Sequence, residues 1–315
     1  MREAMSSTRR YADVETTELR RAIADFHRVT PEQVVPGCGS SEVLRMAVEA
    51  FTGSGRKLIV AAPTFDHVAD LARRTGAAVV AIPLKRNYSY DLGSMLAHGE
   101  ANGGLVYICN PNNPTGTLTP RRDLEAFIRR LPATVSVVID EAYHHYVGES
   151  SDYASFIDRP LNDDRVIVTR TFSTIHGLAG LRVGYAVAPA PTAQRLAARR
   201  LSDGVNVVAA ITAAAALDDA GHVRESANRN VDDRQEFFNQ ANARMLRWID
   251  SQTNFVLLDA MRPAAEAIDH LTRHDILVAP VPPLEKSIRV TLGTPADMRE
   301  FWRVWDLMPG HRMSM

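Results

Sequence analysis

Uninterrupted apolar runs recur along this chain, and between them lie segments whose apolar residues repeat at helical spacing. The runs cover residues 57–61, 77–82, 104–109, 134–140, 166–170 and 183–187. A strand with one wet face alternates apolar and polar residues, whereas a run without alternation is buried on both faces. Helical spacing appears in Val43, Leu44, Ala47, Val48 and Phe51, and again over 68–75 and 121–131. Alternating strands and helices with short connections predict an α/β fold: a mainly parallel sheet with helices on both faces.

The rest of the chain changes character. Leu19, Ile23 and Phe26 predict an N-terminal helix over 16–27, and 192–218 and 222–248 read as two helices, the second long and charged. Short strands over 255–258, 276–278 and 287–291 then predict a smaller α+β C-terminal domain. A length of 315 residues permits a large domain with a smaller one. The division expected is 32–222 for the large domain, with 1–31 and 223–315 forming the small one.

Composition narrows the function classes. The net charge of −1 provides no bulk attraction to nucleic acid or to an anionic membrane surface. No apolar run approaches the roughly 20 residues that span a bilayer, and no signal peptide is visible at the N-terminus. The two cysteines, Cys38 and Cys109, have no metal-ligand spacing, so no metal site is expected and a reduced, cytoplasmic setting is the default. Lysine is rare: Lys57, Lys85 and Lys286 are the only three.

Several motifs carry chemistry. Gly37-Cys38-Gly39-Ser40-Ser41-Glu42 joins an extended piece to a helix, and a helix N-terminus presents free N–H groups to an anion. From spacing alone, a simple helix cap by serine is the stronger reading of that stretch. The turn 110–116, Asn-Pro-Asn-Asn-Pro-Thr-Gly, follows an apolar strand. Asp140 ends another such strand, where a side chain faces the ligand crevice of a parallel sheet.

Taken with Ser173-Thr174, the Gly-rich stretch and Leu181-Arg182-Val183-Gly184, these motifs resemble the fold-type-I pyridoxal-phosphate (PLP) aminotransferases, most closely the histidinol-phosphate aminotransferase group. The resemblance runs from about Tyr11 to the C-terminus. It implies a seven-stranded sheet, a homodimer, PLP as cofactor and an amino acid or amine as substrate. It assigns the cofactor phosphate to Gly39, Ser40, Ser41, Ser173 and Arg182, with Tyr11 reaching the phosphate of the partner subunit. It assigns the ring nitrogen to Asp140, the ring hydroxyl to Asn113 and Tyr143, and a substrate carboxylate to Arg289.

The same resemblance marks departures. Thr174 stands where the family has the lysine that binds PLP covalently and moves protons. Val68 stands where an aromatic stacks on the ring, with Phe65 and His67 nearby, and Ala279 where an arginine reads a substrate phosphate. A threonine hydroxyl is a poor base, and loss of a positioned base costs on the order of 10²–10⁴ in rate. His176, His144 and Tyr143 are the groups near enough in sequence to move a proton instead, although a packed loop histidine is the stronger reading of His176. Two functions follow: an aminotransferase-like enzyme with non-covalent PLP and altered chemistry, or a non-catalytic homologue that binds a ligand or partner.

Overall fold

The computed structural model describes residues 5–101 and 103–309. Seven strands form the central sheet: β1 (Val34–Gly37), β2 (Lys57–Ala62), β3 (Val79–Pro83), β4 (Gly103–Cys109), β5 (Ser136–Asp140), β6 (Val166–Thr171) and β7 (Gly184–Val187). Their order is β1-β7-β6-β5-β4-β2-β3. Neighbours are parallel except β7, which runs antiparallel to both β1 and β6.

The apolar runs of the inner strands are buried on both faces, as their lack of alternation requires; every residue of β4, β5 and β6 is buried, whereas β3, at the sheet edge, is only partly so. One face packs Ile108, Ile139, Val168 and Phe172 against the helices Asp13–His27 and Val207–Leu217. The other packs Tyr107, Val138 and Ile167 against the helix Gly39–Phe51. Fully burying one such large apolar side chain stabilises the fold by about 1.5–3 kcal/mol, so this three-layer core dominates the stability of the large unit.

The long helix Ala220–Ala243 leads to a three-stranded antiparallel sheet of β8 (Phe255–Asp259), β9 (Ala279–Pro280) and β10 (Ser287–Thr291), in the order β8-β10-β9. Val256, Leu258, Ile288 and Val290 pack on Phe237, Trp302 and Trp305 to make a separate core. Alternation along β8 and β10 therefore turns Phe255 and Arg289 to the opposite face.

Four sequence readings need correction. The N-terminal helix Asp13–His27 does not join the C-terminal unit; Leu19, Ile23 and Ala24 are buried in the core of the large sheet. Residues 1–4 and 310–315 of that division lie outside the described residues. The segment 192–218 is two helices, Ala190–Ala197 and Val207–Leu217, interrupted where Gly204 lies so close to Glu42 that a Cβ would come within 2.9 Å of Oε2. The helix Leu92–Glu100 has no counterpart in the sequence reading, and the second short strand forms at Ala279–Pro280 rather than over 276–278. Among the described residues no helix is long and apolar enough to cross a membrane.

Candidate active site

The C-terminal ends of β4, β5 and β6 open into one crevice, the place where parallel α/β sheets bind ligands. Asp140 ends β5 and is buried. Its Oδ2 accepts a hydrogen bond from Tyr107 Oη on β4 at 2.8 Å. Its Oδ1 accepts from Thr169 Oγ1 on β6 at 3.0 Å and from the Ala142 N–H at 3.2 Å. Burial pushes the Asp140 carboxyl above the ordinary carboxylate range, against these donors, which favour its charged form. All three donors are neutral, and among the described residues no cation pairs with it.

Next in sequence, Glu141 points to the opposite face and is fully engaged. Arg170 Nε and Nη2 reach Glu141 Oε2 at 2.9 and 2.8 Å, Ser155 Oγ donates to the same oxygen at 2.7 Å, and the Phe156 N–H donates to Oε1 at 2.8 Å. The Asp-Glu pair thus splits: one carboxylate fixes the loop at residues 155–156, and the other is left to the crevice.

The turn 110–116 rims the crevice beside β4. Asn113 Nδ2 donates to Tyr143 Oη at 3.3 Å, and Asn113 Oδ1 accepts from Arg289 Nη1 at 2.9 Å. Arg289 also lies over the Phe255 ring, 5.0 Å from its centroid, and its buried Nε–H has no partner. A buried donor without a partner is uncommon and asks for an acceptor. Burial pushes the Tyr143 phenol up, so it stays neutral and able to donate.

A second part of the crevice forms where β1 and β7 meet the helix Gly39–Phe51. Cys38 occupies the N-cap and provides no side-chain cap, so the serines are first-turn residues and not the cap that spacing favoured. Gly39 has φ 75°, a left-handed conformation that L side chains rarely adopt, and a Cβ there would lie 2.4 Å from Arg182 Nη2. Only glycine lets the Arg182 guanidinium sit against this helix N-terminus. A Cβ on Gly184 would lie 2.4 Å from the Ser40 nitrogen, which keeps β7 close to the same turn. The unbonded N–H groups of this first helical turn, the serines 40 and 41 and the Arg182 guanidinium are the groups that could hold an anion here, while the Cys38 N–H is taken by Glu42 Oε2. The Ser173 N–H is held by Thr171 Oγ1 at 3.1 Å on the neighbouring turn.

The other expected residues fall as follows. Thr174 Oγ1 donates to the Ala142 carbonyl at 2.9 Å, tying its turn to the segment that carries Tyr143. Lys57 lies at the opposite end of the sheet, paired with Gly103 and bonded to the Ala101 carbonyl at 2.9 Å. At about 3.3 Å per residue, that end is roughly 20 Å from the crevice. Lys85 and Lys286 are exposed. Val68 is buried in the core against which Phe65 and Tyr143 pack. Tyr11 is 76% exposed. The His176 ring packs on Phe172 and His145 at 5.1 and 5.5 Å between centroids, and burial, His222 and Arg170 lower its pKa to about 4. Tyr107 is the site residue that sequence reading missed. It sits in an apolar run, and nothing local distinguishes its hydroxyl from that of a core tyrosine.

This fold and crevice match a known family. The model of the aminotransferase class I and II family matches residues 1–304, and the chain belongs to that family. Among its relatives, the histidinol-phosphate aminotransferase of Caldicellulosiruptor saccharolyticus is 35% identical over 305 residues, covering 96% of this chain and 84% of that protein. The Akkermansia muciniphila histidinol-phosphate aminotransferase is 37% identical over 289 residues, covering 91% and 78%. The crystal structure of histidinol-phosphate aminotransferase from Sinorhizobium meliloti in complex with pyridoxal-5'-phosphate superposes with a TM-score of 0.91 at 30% identity, covering 98% of this chain and 84% of that one.

Proposed function

We propose that this chain is a PLP-binding, aminotransferase-like enzyme that acts on an amino acid or related amine and holds its cofactor without a covalent bond to lysine. The observation that carries this is the state of Asp140: a buried carboxylate with three neutral donors and no cation among the described residues. Burying a charge is costly unless it is paired, and a protonated ring nitrogen would pair it. The glycine-lined cup with Arg182 and the serines 40, 41 and 173 fits a phosphate. Asn113 and the neutral Tyr143 phenol fit a ring hydroxyl.

Bound PLP supplies an aldehyde that reacts with amines and a cationic ring that accepts electrons. The chain's own residues do the rest. Asp140 keeps the ring nitrogen protonated. Arg289, with its unpartnered Nε–H, binds the carboxylate of the amine. Thr174 stands at the family's lysine position; its hydroxyl anchors the Tyr143 segment and takes no part in covalent capture. In this reading Tyr143, kept neutral by burial, is a proton donor, and His176, two residues from Thr174 but packed on Phe172 and His145 with its pKa lowered to about 4, would accept a proton only as a weak base. The assembly is a homodimer in a cytoplasmic setting, with the exposed Tyr11 serving the partner's cofactor phosphate.

The test is a PLP titration of the purified protein followed by visible absorption, with a panel of amines added afterwards. Saturable binding and a new band with one amine are expected. No saturable binding at millimolar PLP contradicts this reading and favours the non-catalytic homologue.

A further inference from the structure

Two hydroxyls reach Asp140 from the strands on either side. Tyr107 Oη donates from β4 and Thr169 Oγ1 from β6, at 2.8 and 3.0 Å on different oxygens. Tyr107 has no exposed surface, and its ring is packed in the apolar layer between the sheet and the helix Gly39–Phe51. A tyrosine ring buried this deeply needs a partner for its hydroxyl, and Asp140 is the acceptor. A charged carboxylate has about four acceptor positions. Tyr107, Thr169 and the Ala142 N–H occupy three of them, so room remains for one further donor.

We propose that Tyr107 is a positioning residue: its hydroxyl, opposed by Thr169, fixes the Asp140 carboxylate in one orientation and in its charged form before any cationic ligand arrives. The inference rests on the function proposed above only for the identity of that ligand. The reasoning is electrostatic. With the cofactor absent, Asp140 sits in a dry site where the neutral acid is favoured, and a protonated carboxyl cannot pair with a protonated ring nitrogen. Two O–H donors and one N–H donor stabilise the anion, because each is stronger to a charged acceptor than to a neutral one.

The neighbours do not provide an alternative source of pH dependence. Cys109 and Tyr107 on β4, Tyr90 and Tyr143 are all pushed up by burial and stay neutral through the working range. Glu141, the remaining acid beside Asp140, is held by Arg170 on the far face. The protein's share of the acid limb therefore belongs to Asp140, and the ligand's own phosphate and ring titrations are common to wild type and Tyr107→Phe.

The test uses the full chain and Tyr107→Phe, which keeps the ring in its packing site and removes only the oxygen. Two readouts separate this inference from the proposed function. In the cofactor-free protein, carboxyl-¹³C resonances of labelled aspartate give the Asp140 midpoint directly, with Asp140→Asn assigning the signal. With PLP, affinity is measured across pH 5 to 9. Tyr107→Phe is expected to raise the Asp140 midpoint by about one pH unit and to move the acid limb of PLP affinity up by the same amount, a loss of about tenfold on that limb. Thr169→Val should act in the same direction. In the Asp140→Asn background, Tyr107→Phe should change PLP affinity no further. An unmoved Asp140 midpoint in Tyr107→Phe overturns the inference, as does a Tyr107→Phe affinity loss that persists without Asp140. If wild-type protein binds no PLP, the proposed function fails, and the midpoint alone decides the role of Tyr107.

Discussion

Arg289 Nη1 donates to Asn113 Oδ1 at 2.9 Å, joining strand β10 of the small sheet to the turn after β4 of the large one across 176 positions of sequence. Gly116 adds a second tie at the same turn: its carbonyl accepts from the Gln252 N–H at 2.8 Å, and a Cβ on it would meet Ser251 Oγ at 2.3 Å. The two units therefore meet at the residues proposed to touch cofactor and substrate. Arg289→Lys keeps the charge but loses the planar fork and the stacking on Phe255. We expect its PLP-loaded form to bind amino acids about 10- to 100-fold more weakly, roughly 1.4–2.8 kcal/mol, with PLP affinity nearly unchanged. Calorimetric titration with an amino acid checks this; an equal loss for PLP itself would point to a cofactor contact instead.

Gly39→Ala tests the anion cup. The added Cβ would lie 2.4 Å from Arg182 Nη2 at a backbone φ of 75°. Arg182 is exposed and able to swing away, so the fold should survive with the guanidinium displaced. PLP and inorganic phosphate should both bind at least about tenfold more weakly, the loss of one charge-assisted contact. Competition between the two ligands, followed by intrinsic fluorescence, measures it.

Glu141 and Asp140 are adjacent, and Glu141→Gln should separate their roles. The Arg170 guanidinium is buried, with its charge balanced by Glu141. Breaking such a pair from one side costs about 3–5 kcal/mol. The denaturant midpoint should fall accordingly, whereas Asp140→Asn should affect stability far less and ligand binding far more.

Stability should fall on acidification below neutrality. Burial first, and then Arg170, hold His27 and His145 down at about 3. Burial, His222 and Arg170 hold His176 at about 4. These imidazoles bind protons in the unfolded chain near pH 6.5 but not in the fold. Their folded pKa is depressed, so their contribution is fully present above about pH 6.5 and is lost as pH falls, down to about 4 for His176 and about 3 for His27 and His145. The slope has an upper bound of about 1.4 kcal/mol per pH unit for each histidine, less where the ring is partly exposed. Urea melts at pH 7, 6 and 5 measure it. His27→Gln, which can still bond the Tyr185 hydroxyl that His27 Nε2 meets at 2.7 Å, should flatten the slope.

The sheet was legible because burial on both faces leaves an unbroken apolar run, and β2 to β7 lie where such runs occur, although β3, at the edge, is only partly buried. The turn 110–116, Asp140 and the Gly39 helix start were legible because turn and terminus chemistry is local. Three things were not. The helix Leu92–Glu100 is short and carries two glycines, which lower its helix propensity. The packing of Asp13–His27 on the large sheet depends on partners about 190 residues away, such as Ala209 and Ala213. The Tyr107–Asp140 bond crosses two strands whose neighbourhood is set by the sheet order, and no spacing along the chain encodes it.

The central claim is a PLP site that works without a covalent lysine. The most direct measurement is intact and peptide mass spectrometry after PLP loading and borohydride reduction, on the wild-type chain and on Thr174→Lys. Wild-type protein should bind PLP saturably yet gain no mass, and Thr174→Lys should gain one reduced cofactor at residue 174. Saturable binding in which wild type gains that mass at Lys57, Lys85 or Lys286 would contradict the account, as would a Thr174→Lys protein that folds, binds PLP and never becomes labelled.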